Sequence, residues 1–341
     1  MGSTFLADII DKFGESIVMG EEKKVDSIPT GSFSLDVSTG IGGLPRGRFT
    51  EIYGPEGSGK TTLALTMAKN VTLAGGRVLY IDAEIMLSYD AIESMLGFSF
   101  DKDKFILIQP ETGEQAFMII EGAIADGGFD LIIVDTVAAL EPGEEKKKAF
   151  DKATMAEISR MLPKFFRRNG SDVKDGNIAV VFLNQVRDKI GGYSHGYNSP
   201  GGHALKHHSS MIIALTKGET IKVDDSPVGI LSKFVIKKNK LSAPFRSYTV
   251  PIIFGKGIDT PSDTVDFCSM LGVIKKKGSY YKFDGVTIGQ GKFAAGAYLV
   301  DHPETLDKIK ESVYTVLNNT VSIDIDEADN EGEEEIEKDE Q

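Results

Sequence analysis

The stretch Glu51–Thr62, EIYGPEGSGKTT, limits what this chain can become more than any other. A short apolar strand runs into Gly54, Gly57 and Gly59. Lys60, Thr61 and Thr62 then open an apolar-periodic helix carrying Leu63, Leu65, Met67 and Ala68. Gly54, Gly59, Lys60 and Thr61 keep the spacing G-x-x-x-x-G-K-[ST], with Pro55, Glu56 and Ser58 in the same loop. Glycines at these places let backbone N–H groups turn inward around a phosphate without Cβ clashes. The helix start adds a partial positive charge. Lys60 then reaches toward the β- and γ-phosphates of a nucleotide, and the Thr61 hydroxyl is a ligand for Mg²⁺. The bland alternative is a glycine-rich turn that happens to hold a lysine, and the order strand, loop, helix speaks against it.

Downstream, apolar strands alternate with helical patterns. VLYIDAE (78–84), FILIQ (105–109), LIIVDT (131–136) and IAVVFLNQ (178–185) read as strands, with helices near 88–97, 113–126 and 151–168. Repeated strand–helix units need crossover connections, so the expected fold is α/β, a mostly parallel sheet flanked by helices. Ligands of such sheets bind at the carboxyl ends of the strands. From 208 the pattern changes to SSMIIALTK, KFVIKKNK and YTVPIIFG, strands that extend the sheet in partly antiparallel fashion. Residues 3–18 read as a short amphipathic helix with Phe5, Ile9, Ile10 and Phe13 on one side, to be buried on its own domain or on a second copy. The expected division is an N-terminal helix and linker over 1–27, a core over 28–255, a small subdomain over 256–320 with helices at 262–271 and 303–318, and a disordered tail over 321–341.

Composition enters through charge. The net charge of −13 looks unsuited to polyanions until the tail is set apart, because eleven acidic residues and one lysine follow from Asp324 onward. The remainder is near neutral, about −3. With one cysteine, Cys268, no intrachain disulfide forms, and a reducing, cytoplasmic setting is expected, with Cys268 a small core residue. FLADIIDKF carries Asp8 and Asp11 and has no basic flank, so it reads neither as a signal peptide nor as a membrane span.

Polar residues at strand ends are the candidates for chemistry. Asp135 closes LIIVD as a Mg²⁺-organising carboxylate would, usually through a bound water. Glu84 closes VLYIDAE, where a carboxylate orients or deprotonates the water that attacks a γ-phosphate. Asp82 shares its face by alternation, so periodicity does not choose between them, although Glu84 is favoured. Gln185 ends VVFLNQ, where an amide can contact a γ-phosphate. A glycine-rich stretch follows with Arg187, Lys189, Tyr193, His195, Tyr197, Lys206 and His207, either a solvated loop or a surface coupling nucleotide state to a polyanion. Lys237, Lys238 and Lys240 lie on a strand pattern, with 238 and 240 on one face, as a common anion contact or as a charged edge.

Taken together, STGIGGLPRGRFTEIYGPEGSGKTTL, YIDAE, LIIVDTVAAL, VVFLNQVRDKIG, PGGHALK, VIKKNKLSAPF and IGQGK resemble the bacterial RecA recombinases and their phage-encoded relatives, over about Phe13 to Asn318. The resemblance implies a DNA-dependent ATPase that forms helical filaments on single-stranded DNA, pairs it with homologous duplex, uses ATP and Mg²⁺, and works with single-strand-binding and mediator proteins. It implies nucleotide and Mg²⁺ roles for Lys60, Thr61 and Asp135, water activation by Glu84, and γ-phosphate sensing by Gln185. Arg187, Lys189, Ile190, Gly201, Gly202 and Lys206 look like DNA-contacting positions, and Lys238 with Lys240 like the pair that reaches the ATP of an adjacent subunit. A first DNA loop falls near Glu144–Met155. Ser88 stands where the family has an adenine-contacting aspartate, leaving Tyr89 as the stacking residue. Asp188 and His207 also depart from the family pattern.

Two other readings share the sequence. A ring-forming motor on the same ATPase core needs an additional domain for which there is no room. A non-enzymatic DNA-binding module needs neither Glu84 nor Gln185. The acidic tail is a solubility device or a competitor of duplex DNA for basic surfaces.

Overall fold

In the computed structural model, the described residues are Lys12, 25–140, 154–186, 202–243 and 246–317. Apart from Lys12, the expected helix at 3–18 lies outside them, as do 144–153 of the expected first DNA loop, positions 187–201 and the expected tail over 321–341.

The chain enters with β1 (Ser27–Ile28), a short helix α1 (Phe33–Ser38) and β2 (Leu44–Pro45), which pairs antiparallel with β1. Then follow β3 (Arg48–Gly54), α2 (Lys60–Leu73), β4 (Val78–Asp82), α3 (Tyr89–Leu96), β5 (Phe105–Ile108), α4 (Gly113–Asp126), β6 (Leu131–Asp135), α5 (Thr154–Asp175) and β7 (Ala179–Gln185). After a short helix, α6 (Gly202–His208), the long strands β8 (Met211–Val223) and β9 (Ser226–Asn239) form a hairpin, continued by β10 (Ser247–Ile253) and β11 (Gly257–Ile258). Among the described residues the main sheet has nine strands in the order β11-β10-β9-β8-β3-β7-β6-β4-β5. It is parallel from β8 to β5 and antiparallel from β8 to β11.

The parallel strands are short continuous apolar runs because both of their faces are covered. One face packs on α2 through Leu63, Leu65, Met67, Ile52, Tyr80 and Ile133. The other packs on α4 and α5 through Phe117, Phe165, Phe166, Leu79, Val134 and Phe182. The register aligns the carboxyl ends: Gly54 sits beside Gln185, and Asp82 beside Asp135. The chain leaves β3 for β4, three places along the sheet, and returns through β6 and β7 to β3's flank. The crevice at this reversal is where an open α/β sheet binds ligands.

A smaller lobe follows, with α7 (Thr260–Met270), a three-stranded antiparallel sheet of β12 (Lys275–Lys277), β13 (Tyr280–Phe283) and β14 (Val286–Gln290), α8 (Lys292–Asp301) and α9 (303–317). Its core includes Val265, Phe267, Cys268, Ile288, Leu299 and Val313, and also Phe33 and Val37 from α1. The lobe therefore borrows apolar surface from the first helix of the larger unit. A polar seam accompanies it: Asp263 of α7 accepts from the Ser32 hydroxyl at 2.9 Å, the Ser34 amide at 3.0 Å and the Ser34 hydroxyl. Burial pushes the Cys268 thiol up to about 12, as suits an inert core residue.

Candidate functional site

The phosphate-loop sequence folds as its glycines require. Gly59 takes φ +92 at the start of α2, and a Cβ there would lie 2.3 Å from Ile252 Cδ1. Gly57 takes φ +70 in open space. No side chain caps α2, so its first amides stay directed at the loop. Lys60 folds back, donating to the carbonyls of Gly54 at 3.0 Å and Pro55 at 2.8 Å. Burial lowers its ammonium from the ordinary lysine range, against the pull of Asp135, Glu84 and Glu56.

One oxygen of Asp135 accepts from the Thr61 hydroxyl at 2.8 Å and from the Tyr80 hydroxyl at 2.7 Å. Burial raises this carboxyl above the usual range, partly offset by those two bonds. Tyr80 is fully buried, and burial together with Asp135 pushes its hydroxyl well above the usual phenol range, so it serves as a fixed donor. Thr136, next along, donates to Glu84 at 3.1 Å. Glu84 itself is exposed toward the cleft. Asp82, by contrast, is buried and accepts from the Leu87 amide at 2.8 Å and the Gln109 side chain at 2.9 Å, tying down the loop after β4.

Lys60, Thr61, Thr62, Glu56, Glu84, Asp135, Thr136 and Gln185 thus line one cleft of about 520 Å³. A hydroxyl and a carboxylate oxygen side by side, below an uncapped helix start, suit a hard divalent cation and a phosphate chain. The far wall is apolar, made by Ile230, Ile252, Ile253 and Phe254, with Ser94 and Met95 from α3 nearby. Phe254 is 57% exposed there, a face open to a planar ring.

Several expected residues are elsewhere. Tyr89 does not line the cleft; its hydroxyl donates to the Phe105 carbonyl at 3.1 Å and its ring packs edge-on against Phe105, below the cation of Lys102. Ser88 caps α3 by accepting from the Ala91 amide at 3.1 Å. Helix capping and core packing have claimed both positions, and the residues that α3 turns to the cleft come one turn later. Lys206 and Gly202 lie on helix α6 rather than on a loop. Arg187, Lys189, Ile190 and Gly201 are outside the described residues.

Lys238 and Lys240 stand at the other end of the sheet. Lys238 pairs with Ile212, which pairs with Glu51, while the Lys240 amide donates to Ser210. That is about 10–16 Å along the strands from Gly54. The Lys238 ammonium donates to the carbonyls of Lys206 at 2.6 Å and His207 at 3.3 Å, closing the end of α6. Burial and Lys240 lower it from the ordinary range, opposed by Glu51. A bulge at Lys237 and the end of β9 at Asn239 interrupt the simple alternation expected of 238 and 240.

Sequence reasoning missed Tyr80, Thr136 and Phe254. The signal for Tyr80 was a lone phenol inside an otherwise aliphatic strand, and a buried phenol needs an acceptor.

Comparisons with known proteins place the chain in a family. Residues 3–259 match the family model described as the RecA N-terminal domain, and residues 262–318 that of the RecA C-terminal domain. Protein RecA of Thermus aquaticus is 41% identical over 314 residues, covering 90% of this chain and 92% of the relative. Protein RecA of Aquifex pyrophilus is 39% identical, covering 91% and 90% respectively. A crystal structure of the RadB recombinase superposes with a TM-score of 0.51 at 25% identity, covering 68% of this chain and 98% of that one. With both family models matched in chain order and the relatives spanned almost end to end, the chain belongs to the bacterial RecA family.

Proposed function

We propose that this chain is a DNA-dependent ATPase that polymerises on single-stranded DNA as a helical filament, pairs it with homologous duplex and exchanges strands in the cytoplasm. Residues 28–255 are its ATPase core, 256–320 its C-terminal subdomain, 1–27 an assembly element and 321–341 an acidic tail. The observation that carries this is the meeting of Lys60, Thr61, Glu84, Asp135 and Gln185 in one cleft at the strand ends of a RecA-family sheet.

When bound, ATP would supply the phosphoanhydride to be broken and Mg²⁺ would offset the negative charge of its phosphates. Lys60 exchanges its two loop carbonyls for phosphate oxygens. Gly54 through Thr62 surround the phosphate chain with backbone donors. Thr61 and Asp135 would hold the cation, with Tyr80 keeping the Asp135 oxygen in place. Glu84, steadied by Thr136, orients the attacking water and takes its proton. Gln185 contacts the γ-phosphate and passes its presence to the segment carrying Arg187, Lys189, Ile190, Gly201, Gly202 and Lys206, which holds DNA through backbone phosphates. The base lies against Phe254 rather than Tyr89.

Lys238 and Lys240 are too far along the strands to serve the nucleotide of their own subunit. They act on that of a neighbour, so a second copy completes the site. Lys60→Ala is expected to abolish hydrolysis and ATP-dependent assembly, while Glu84→Gln retains nucleotide-dependent assembly and loses turnover. Normal phosphate release by the Lys60→Ala protein in a coupled assay would contradict the assignment.

A further inference from the structure

The charged side chains of the cleft gather at the phosphate loop and the strand ends, with Glu56 and Lys60 on one side and Glu84 and Asp135 on the other. The far wall is made by two elements that glycines bring together. Gly97 ends α3 at φ +58, and a Cβ there would lie 2.8 Å from the Gly255 carbonyl oxygen. Gly255 itself turns at φ +73 between β10 and β11. Helix α3 thereby brings Ser94 and Met95 to the same cleft as Ile253, Phe254 and Gly255.

A site that reads a base by hydrogen bonds to its edge rejects a base lacking the matching group by about 10⁴-fold or more, whereas an apolar wall separates the two weakly. Among the described residues, the polar groups of this wall are already engaged. The Ser94 hydroxyl donates to the Asp90 carbonyl of its own helix at 2.9 Å. The Phe254 amide donates to the Val228 carbonyl at 2.9 Å, and the Ile253 carbonyl accepts from the Lys256 amide at 3.1 Å. Asp90, Glu93 and Lys256 are exposed and do not line the cleft. Ser88 is committed to the cap of α3, and Tyr89 to Phe105. The surfaces left to meet a base are the exposed Phe254 ring and the side chain of Met95. Every base has a π-face, so stacking on such a ring holds purines and pyrimidines alike.

We infer that this site selects its nucleotide by the triphosphate and not by the base, so that GTP, CTP and UTP are bound, and hydrolysed by water to the diphosphate and phosphate, as ATP is. The inference rests on the proposed ATPase reading and widens its substrate class. Phe254 is the platform for any base, and the phosphate loop with Lys60 supplies the selection.

The test is displacement of fluorescent N-methylanthraniloyl-ADP from the full chain by ATP, GTP, CTP and UTP with Mg²⁺, followed by phosphate release from each with single-stranded DNA. The four dissociation constants are expected to lie within about tenfold of one another, a span that differences in stacking cover. Phosphate release is expected from all four. Phe254→Ala removes an exposed ring that belongs to none of the apolar cores, and is expected to weaken all four by about tenfold. A spread wider than about tenfold, phosphate release from ATP alone, or a Phe254→Ala protein with unaltered affinities each overturns the inference and leaves the ATPase reading standing. A chain that neither binds nor hydrolyses any of the four overturns that reading, and the inference with it.

Discussion

Tyr80 and Thr61 donate to the same oxygen of Asp135, so the carboxylate is held in one orientation. Replacing Tyr80 with Phe leaves the strand packing intact and removes one donor to a buried acceptor, a loss of about 1 kcal/mol. On the proposed mechanism, Tyr80→Phe is expected to raise the Mg²⁺ concentration for half-maximal ATP turnover about fivefold. An unchanged Mg²⁺ requirement would leave Tyr80 with a packing role alone. Much of this site was legible beforehand because its residues sit at strand ends, where chain order and chemistry coincide. Asp82 and Glu84 were not separable by alternation, and the structure shows why. β4 ends at Asp82, and Ile85 turns the chain at φ +55, so the two-residue period no longer applies at Glu84. Tyr89 was misjudged for a related reason: position along the chain locates helix α3 but not which of its turns faces the cleft.

At the scale of elements, the parallel strands and their helices follow from apolar runs of the right length. Helix α6 was hidden by Gly202, the histidines and the glycine-rich stretch before it. The lobe's three-stranded sheet was hidden by its lysines, since β12 consists of Lys275, Lys276 and Lys277, all exposed. Periodicity also gave no warning that α1 belongs to two cores at once. Asp36 on that helix accepts from the Thr30 amide at 2.8 Å and hydroxyl at 2.7 Å, with Asp263, Lys310 and Tyr314 of the lobe within electrostatic reach. Burial raises its carboxyl from 3.8 to about 7 despite those bonds. The folded protein then holds a proton that the unfolded chain releases, so stability falls as pH rises from about 4 to about 7, by at most about 1.4 kcal/mol per unit, and the cost is complete above that range. Asp36→Asn keeps the accepting Oδ1 and cannot ionise. Its melting temperature is expected to gain on the unmodified protein from about pH 5 to about pH 7 and to hold that gain at about pH 8. A constant difference across that range would show that Asp36 ionises without cost.

For the whole molecule, the sheet separates the two parts of the proposed site. The cleft lies at the carboxyl ends of the parallel strands, and Lys238 and Lys240 lie toward their amino ends. On the proposed function, copies stacked head to tail bring the two together, and assembly and catalysis become parts of the same event. The most direct test of this account is ATP hydrolysis with and without single-stranded DNA, with the same mixtures viewed by negative-stain electron microscopy. The account predicts strong stimulation by the DNA together with helical filaments. Turnover that ignores DNA, or closed rings in place of filaments, would contradict it and point to a motor built on the same core.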